Sequence, residues 1–333
     1  MITSIQFTNF KVLRDARLPL SQFTLIVGPN GSGKSTVFRG LECLRVNHQF
    51  THLGLVTAGR TDPVSIDAYW KDDGGEMKVR VLWRKNVVTA GPSFSDVRHG
   101  TTPASSEAFQ RMLAGCQIFS FDPAVIASAV QLVPDAQMTT QGRNLAVVLD
   151  RLRDQNPERF EALNQELGRW LPEFDRVLFE TPNPGQRAIC LRTSSGGHSI
   201  KATDLSQGTL IALAVLTLAY LPKPPPLVCF EEPDHGLHPR LLRDVRDAIY
   251  RLAYPESFGE KREAVQVIAT THNPYFLDLF REHPEEIVIA EKTGLEAKFT
   301  RLSDRADLAE ILGDAHLGDV WYSGVLGGVP AGT

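Results

Sequence analysis

Long apolar runs, paired cysteines and a surplus of one charge are all missing from this chain of 333 residues. Each absence excludes a class of protein. The longest nearly apolar run, Leu210 to Leu221, is 12 residues and is broken by Thr217, whereas a bilayer span needs about 20. The start, Met1-Ile2-Thr3-Ser4, has neither the basic region nor the small-residue cleavage site of a signal peptide. Cys43, Cys116, Cys190 and Cys229 form no C-x-x-C pair, which argues for free thiols in a reducing compartment rather than a disulfide framework or a zinc site. Lys plus Arg number 35 against 39 Asp plus Glu, a net charge of −4, which excludes a chain-wide basic coat but leaves room for a local basic patch. There is no internal repeat, no low-complexity tract and no sustained heptad pattern. With 42% apolar and 22% charged residues, the chain reads as a soluble, cytoplasmic, globular protein. Its length suffices for one large domain or two modest ones.

The pattern of residues predicts an α/β organisation. Strands are expected over Ile2 to Phe7, Val12 to Leu20 and Phe23 to Val27, the last a short buried run bounded by Gly28-Pro29-Asn30-Gly31. Val37, Leu41 and Leu44 then fall at helical spacing, so the order is strand, glycine loop, helix. Alternation at Val64, Ile66, Ala68, Trp70 and at Met77, Val79, Val81, Trp83 predicts a hairpin turning at Asp72-Asp73-Gly74-Gly75. Residues 86–115, rich in Gly, Ser, Thr and Pro, read as surface connection. From about Asp122 a more helical lobe is inserted. Phe160, Leu163, Leu167, Trp170 and Leu171 mark one helix, and Gly208 to Leu221 a second, stopped by Pro222 and Pro224-Pro225-Pro226. Between them two short strands fall around Arg176–Thr181 and Arg187–Arg192, with Ser194-Ser195-Gly196-Gly197 as a turn. Leu227 to Phe230 and Val265 to Thr270 are buried strands.

Gly28-Pro29-Asn30-Gly31-Ser32-Gly33-Lys34-Ser35 matches G-x-x-x-x-G-K-[ST] in full, in the strand–loop–helix context that the motif requires. Glycines allow backbone N–H groups to turn inward around a phosphate, and the following helix adds its positive dipole end. The nucleotide-binding candidates are therefore Asn30, Gly31, Ser32, Gly33, Lys34, Ser35 and Thr36: Lys34 for the β- and γ-phosphates, Ser35 for Mg²⁺ and Thr36 for the α-phosphate. Downstream, a buried strand delivers Glu231-Glu232, a pair suited to a metal and a water: Glu231 toward Mg²⁺, Glu232 as the carboxylate that orients the attacking water.

Three further segments are ambiguous one by one. His235 and His238 with Glu231 and Asp234 could form a metal cluster, but they share one short loop containing Pro233 and Gly236 and lack the helical spacing of a zinc motif. Ser206-Gln207-Gly208 alone reads as an ordinary helix cap. Thr270-Thr271-His272-Asn273-Pro274 follows a buried strand, where a lone histidine can be a satisfied turn residue.

Taken in order, Gly28–Thr36, Leu205-Ser206-Gln207-Gly208-Thr209, Phe230-Glu231-Glu232-Pro233, Gly236-Leu237-His238-Pro239 and Thr271-His272-Asn273-Pro274 resemble the motifs of the ABC-type ATPase head. The opening Ile5 to Lys11 and the closing Leu317-Gly318-Asp319-Val320-Trp321 to Gly328 are similar to the RecF/SMC-like branch, and within it to compact AAA-type "predicted ATPases" related to RecF. The resemblance implies a P-loop NTPase fold with lobe I over about 1–121 and 222–333, and lobe II over about 122–221 carrying the signature. It implies an ATP-dependent homodimer with two ATP–Mg²⁺ sandwiched between Lys34 of one copy and Ser206 and Gly208 of the other. It also implies a γ-phosphate contact for His272, catalysis by Glu232, an interface-crossing loop at Gly236 to Pro239, and Asn9, Phe10 and Lys11 near the base or ribose.

The sequence departs from the family at Glu231, where most members carry Asp, and at Gln207 and Thr209 in the signature. Gln117 is the candidate for the family's Q-loop glutamine. No pair of heptad helices or hook cysteines lies between Lys34 and Ser206, and the 61 residues after His272 are too few for the nuclease domain of OLD-type proteins. Three roles follow as expectations: a RecF-like switch in DNA repair or maintenance that engages double-stranded DNA, a regulatory ATPase driving a separate nuclease or toxin in a phage-defence setting, and a transporter subunit. The RecF-like start and Glu231 to Pro239 argue against the transporter. Arg80, Arg84 and Lys85, or Arg240, Arg243 and Arg246, are the basic candidates for DNA, the latter three also reading as a solvated helix face.

Overall fold

The computed structural model describes residues 1–45, 52–72, 75–84, 103–294, 296–313 and 315–327. In chain order the elements are β1 (Ile2–Phe10), β2 (Leu13–Pro19), β3 (Phe23–Val27), α1 (Lys34–Arg45), α2 (His52–Leu55), β4 (Val64–Asp72), β5 (Gly75–Trp83), α3 (Pro103–Ala114) and β6 (Cys116–Phe119). There follow α4 (Pro123–Ile126), β7 (Val130–Gln131), α5 (Leu145–Gln155), α6 (Pro157–Trp170), β8 (Phe174–Glu180), β9 (Gln186–Thr193), β10 (Ser199–Lys201) and α7 (Gln207–Tyr220). The chain ends with β11 (Leu227–Glu231), α8 (Pro239–Ala253), β12 (Gln266–Thr271), α9 (Pro274–Asp278), β13 (Ile287–Thr293), β14 (Glu296–Arg301), α10 (Leu308–Leu312) and α11 (Leu317–Tyr322).

Two compact units divide the chain: Met1–Cys116 with Pro226–Cys229 and Gln266–Thr333, and Gln117–Pro225 with Phe230–Val265. The first unit carries an antiparallel sheet in the order β2-β1-β4-β5. Its strands alternate as half-buried strands should: Met77, Val79, Val81 and Trp83 point into the core while Lys78 and Arg80 point out. On the outer face Asp67 receives both Arg80 (2.6 and 2.7 Å) and Lys78 (2.8 Å). Arg80 and Lys78 are thus already paired, and Lys85 lies outside the described residues.

A second, six-stranded sheet runs β14-β13-β3-β12-β11-β6. β3 is parallel to both neighbours, with Val27 in register with Thr271 of β12 and Ile289 of β13. β3 and β12 are buried along their whole length, the continuous apolar pattern of strands covered on both faces. Gln266 closes the start of β12 by exchanging hydrogen bonds with Ile2 N (2.9 Å) and O (2.7 Å).

The stretch 86–115 is a correction: from Pro103 onward it forms α3, not surface connection, while 86–102 lie outside the described residues. Phe109, Met112 and Leu113, at helical spacing, bury one face, and the Phe109 ring meets Trp70 edge-on at 5.6 Å.

In the second unit α7 is buried from Gly208 through Tyr220. Such a helix is apolar all round, and Thr217 satisfies its hydroxyl internally by donating to Leu213 O (2.7 Å). α8 is amphipathic, burying Leu241, Leu242, Val245, Ile249 and Leu252. Glu260, with its side chain only 8% exposed, is gripped by Arg251, Arg262 and Arg159. Burial pushes its carboxyl up, but the hydrogen bonds from Arg251 and Arg262 outweigh that and hold it below the ordinary range. β9 pairs with β8, β7 and β10, with the turn to β10 falling at 194–197.

No helix among the described residues is long and apolar enough to cross a membrane.

Candidate nucleotide site

β3 ends at Val27 and α1 begins at Lys34, so the loop between them starts at the carboxyl end of a central parallel strand and finishes at a helix N-terminus. Its shape requires glycine. A Cβ on Gly28 would collide with the carbonyl oxygen of Ala290 in β13, and Gly33 has φ +99 with Leu13 Cδ2 only 2.9 Å from where a Cβ would stand. Ser32 N donates to Pro29 O (3.2 Å) and Val37 N to Gly33 O (3.1 Å), which fixes the loop on the helix. Lys34 is buried, and its ammonium donates to Gly28 O (2.6 Å) and Pro29 O (3.0 Å), placing a positive charge against the loop. The Ser32 hydroxyl is wholly buried with no hydrogen-bond partner in the protein. An unpaired buried hydroxyl costs free energy, and a phosphate oxygen is an acceptor that satisfies it. Ser35 is exposed and Thr36 half-buried on the first turn of α1, and Asn30 and Gly31 are exposed. Glycine loop, buried lysine, unpaired hydroxyl and helix dipole together form a donor set that fits a polyphosphate.

Register brings His272 beside this loop. Thr271, the last residue of β12, pairs with Val27, so the exposed His272 emerges next to the start of Gly28. The two residues around it are pinned: Asn273 N donates to Thr271 Oγ1 (3.0 Å), and Asn273 Oδ1 caps α9 by accepting from Tyr275 N (3.0 Å). His272 is thus exposed in the turn between β12 and α9 and is no part of the core.

The β1–β2 turn gives a mixed outcome. Phe10 is fully buried and stacks on Phe7 at 5.7 Å, so its ring belongs to the core and presents no face to a base. Lys11 is exposed with φ +50, its N–H donating to Leu55 O (2.8 Å), while Asn9 is buried and donates to Asp62 O (2.7 Å). The sequence places these residues in one turn but does not reveal which side chain faces inward.

In the second unit, β11 leads to a half-buried Glu231 and Glu232. Glu232 has φ +48, a left-handed conformation that is costly for a residue with a Cβ. The loop after it is locked by His235 N to Glu232 O (3.0 Å) and Leu237 N to Asp234 O (3.3 Å). His238 caps α8 through Nδ1, which accepts from Arg240 N (3.2 Å). Its role is a cap, and among the described residues no three His, Cys, Asp or Glu are grouped to hold a metal.

Ser206 caps α7, its Oγ accepting from Thr209 N (3.1 Å) and lying 2.8 Å from Thr209 Oγ1. Gly208 lies against the loop after Glu232: a Cβ there would come within 2.8 Å of Gly236 O and 3.4 Å of Leu237 Cα. The signature turn and the Gly236–Pro239 loop are therefore packed together, a contact that the sequence order does not announce. Gln117 is half-buried on β6. Ser35 hydroxyl and Glu231 carboxylate are hard oxygen donors of the type Mg²⁺ takes.

Residues 1–87 match a family model described as "AAA ATPase domain", and residues 135–278 one described as "AAA domain, putative AbiEii toxin, Type IV TA system". The chain is 48% identical over 42 residues to an OLD nuclease of Thermus scotoductus, a match spanning 13% of this chain and 8% of that protein. Among solved structures, an SMC head bound to the C-terminal winged-helix domain of ScpA superposes with a TM-score of 0.61 at 18% identity, covering 90% of this chain and 96% of that one. The SMC head domain from Thermotoga maritima superposes with a TM-score of 0.52 at 18% identity, covering 90% and 98%.

Proposed function

Given that the chain has the fold of an ABC-type ATPase head, we propose that it binds ATP with Mg²⁺, dimerises around it and hydrolyses it. The observation that carries this reading is the phosphate loop: a buried Lys34 and an unpaired Ser32 hydroxyl on a glycine turn, with His272 in register beside it. Lys34 holds the β- and γ-phosphates at the N-terminus of α1, where the helix dipole favours them. Ser35 and Glu231 hold Mg²⁺, which when bound offsets the triphosphate charge. Glu232 orients a water against the γ-phosphorus and accepts its proton as the new P–O bond forms. The bond between the γ-phosphorus and the bridging oxygen breaks, leaving ADP and phosphate. His272 contacts the γ-phosphate, and Ser206 and Gly208 close on it from a second copy at the N-terminus of α7.

The cycle acts as a switch. Similarity to SMC heads supports a DNA-maintenance role. The net charge of −4, which offers no chain-wide basic surface to DNA, favours a second reading, a head that regulates a separate effector. Steady-state ATP hydrolysis is the test. Wild type hydrolyses ATP, and Glu232→Gln binds it but turns over about 100-fold more slowly, the lower range for loss of a general base. A Glu232→Gln variant with the wild-type rate removes Glu232 from the mechanism. Stimulation by double-stranded DNA that fades with salt selects the first role, and a DNA-indifferent rate selects the second.

A further inference from the structure

The C-terminal segment Leu317–Gly327 has no part in the cycle just described, yet it touches both flanks of the phosphate loop. On one side of Val27, β12 continues into His272, Asn273 and Pro274, and on the other β13 continues into Ala290 and Glu291. Gly318, in the first turn of α11, rests directly on Pro274. A Cβ at Gly318 would collide with the Pro274 carbonyl oxygen and stand 2.8 Å from its carbonyl carbon and 2.9 Å from its Cβ. Gly318 N also donates to Asp278 Oδ1 (2.8 Å), and Leu317, Val320 and Trp321 hold the helix down by burial. At the far end Leu326 is buried, its carbonyl accepts from Arg305 Nη1 (3.0 Å), and Gly327 lies against the Glu291 carboxylate.

We infer that this segment is a strap that positions His272: Gly318 and Asp278 fix Pro274, and with it the backbone two residues upstream, against the phosphate loop. The inference rests on the reading of His272 as a γ-phosphate contact. Gly318 and Asp278 are positioning residues that touch no nucleotide. Glycine is required because only a backbone without a Cβ lies this close to another carbonyl.

The test measures kcat, ATP affinity and thermal midpoint for Gly318→Ala, Asp278→Ala and Asp278→Asn, alone and with His272→Ala. Gly318→Ala is expected to lower kcat about 10- to 100-fold, the scale of an ångström's misplacement of a contact group. ATP affinity falls far less than kcat, because the Lys34 loop keeps its own contacts to the phosphates. In the His272→Ala background Gly318→Ala adds no further loss, since both act through one group. Asp278→Ala follows the same pattern, and Asp278→Asn, which keeps an oxygen for Gly318 N, restores the rate. Where Gly318→Ala does not fold, the Asp278 pair decides. A folded Gly318→Ala at the wild-type rate, or an equal loss with and without His272, overturns the strap. A wild-type rate in His272→Ala itself instead contradicts the reading of His272, and the strap falls with it.

Discussion

The phosphate loop and the signature turn both lie at helix N-termini, yet their polar groups are used differently. In the phosphate loop the Ser32 hydroxyl is buried without a partner, and Lys34 folds its charge against carbonyl oxygens of its own loop. Lys34 thereby braces its own loop, whereas nothing in the local packing calls for the Ser32 hydroxyl. In the signature turn every group already has structural work: Ser206 caps α7, Gly208 makes room for the Gly236 carbonyl, and His238 caps α8. The first region holds one buried hydroxyl that local structure does not explain. The second would exist as a well-made turn without any ligand, so the proposed ligand role there would be superimposed on a structural one. Substitutions should separate the two regions by how loss of function compares with loss of stability.

The largest effect is expected at Lys34. Lys34→Ala abolishes ATP binding, measured by equilibrium titration with a fluorescent ATP analogue, while the thermal midpoint of the nucleotide-free protein reads the loss of its bonds to Gly28 O and Pro29 O separately. Retained binding would collapse the contrast from the loop side.

Glu260 gives a purely structural reference in the second unit. Glu260→Ala leaves Arg251, Arg262 and Arg159 without their shared carboxylate and should cost about 3–5 kcal/mol in denaturant unfolding, the scale for breaking a buried ion pair. The sign of its pH dependence follows from a folded-state pKa below the ordinary 4.5. Its stabilisation is complete above that value and is lost as pH falls through the lower folded-state pKa. Glu260→Gln flattens this acid limb of the stability curve.

Ser206→Ala is the smallest and the most discriminating. Loss of the cap costs about 1 kcal/mol. The account also requires slower hydrolysis, even where the variant remains fully folded. A loss of stability with an unchanged rate would leave Ser206 as a cap alone.

Much of this was legible in the residues. The strand–glycine–helix order located the loop, and alternation at Val64–Trp70 and Met77–Trp83 gave β4 and β5. Orientation was not legible. Asn9, Phe10 and Lys11 look equally available in a line of letters, but Phe10 turns into the core against Phe7 because the left-handed residues on either side reverse the chain there. α3 was hidden because its polar flanks outweigh three apolar residues, one of which, Phe109, packs on Trp70, distant in sequence. The contacts Gly208–Gly236 and Gly318–Pro274 join separate motifs through close backbone approach, and no spacing rule encodes such a contact.

In the proposed cycle ATP is enclosed between Lys34 of one copy and Ser206 and Gly208 of another. Light scattering on Glu232→Gln tests it most directly, with the chain at 36.8 kDa. With saturating ATP and Mg²⁺ the account predicts twice that mass, returning to the single-chain mass when Lys34→Ala is added or nucleotide is removed. A single-chain mass with ATP demonstrably bound would contradict it.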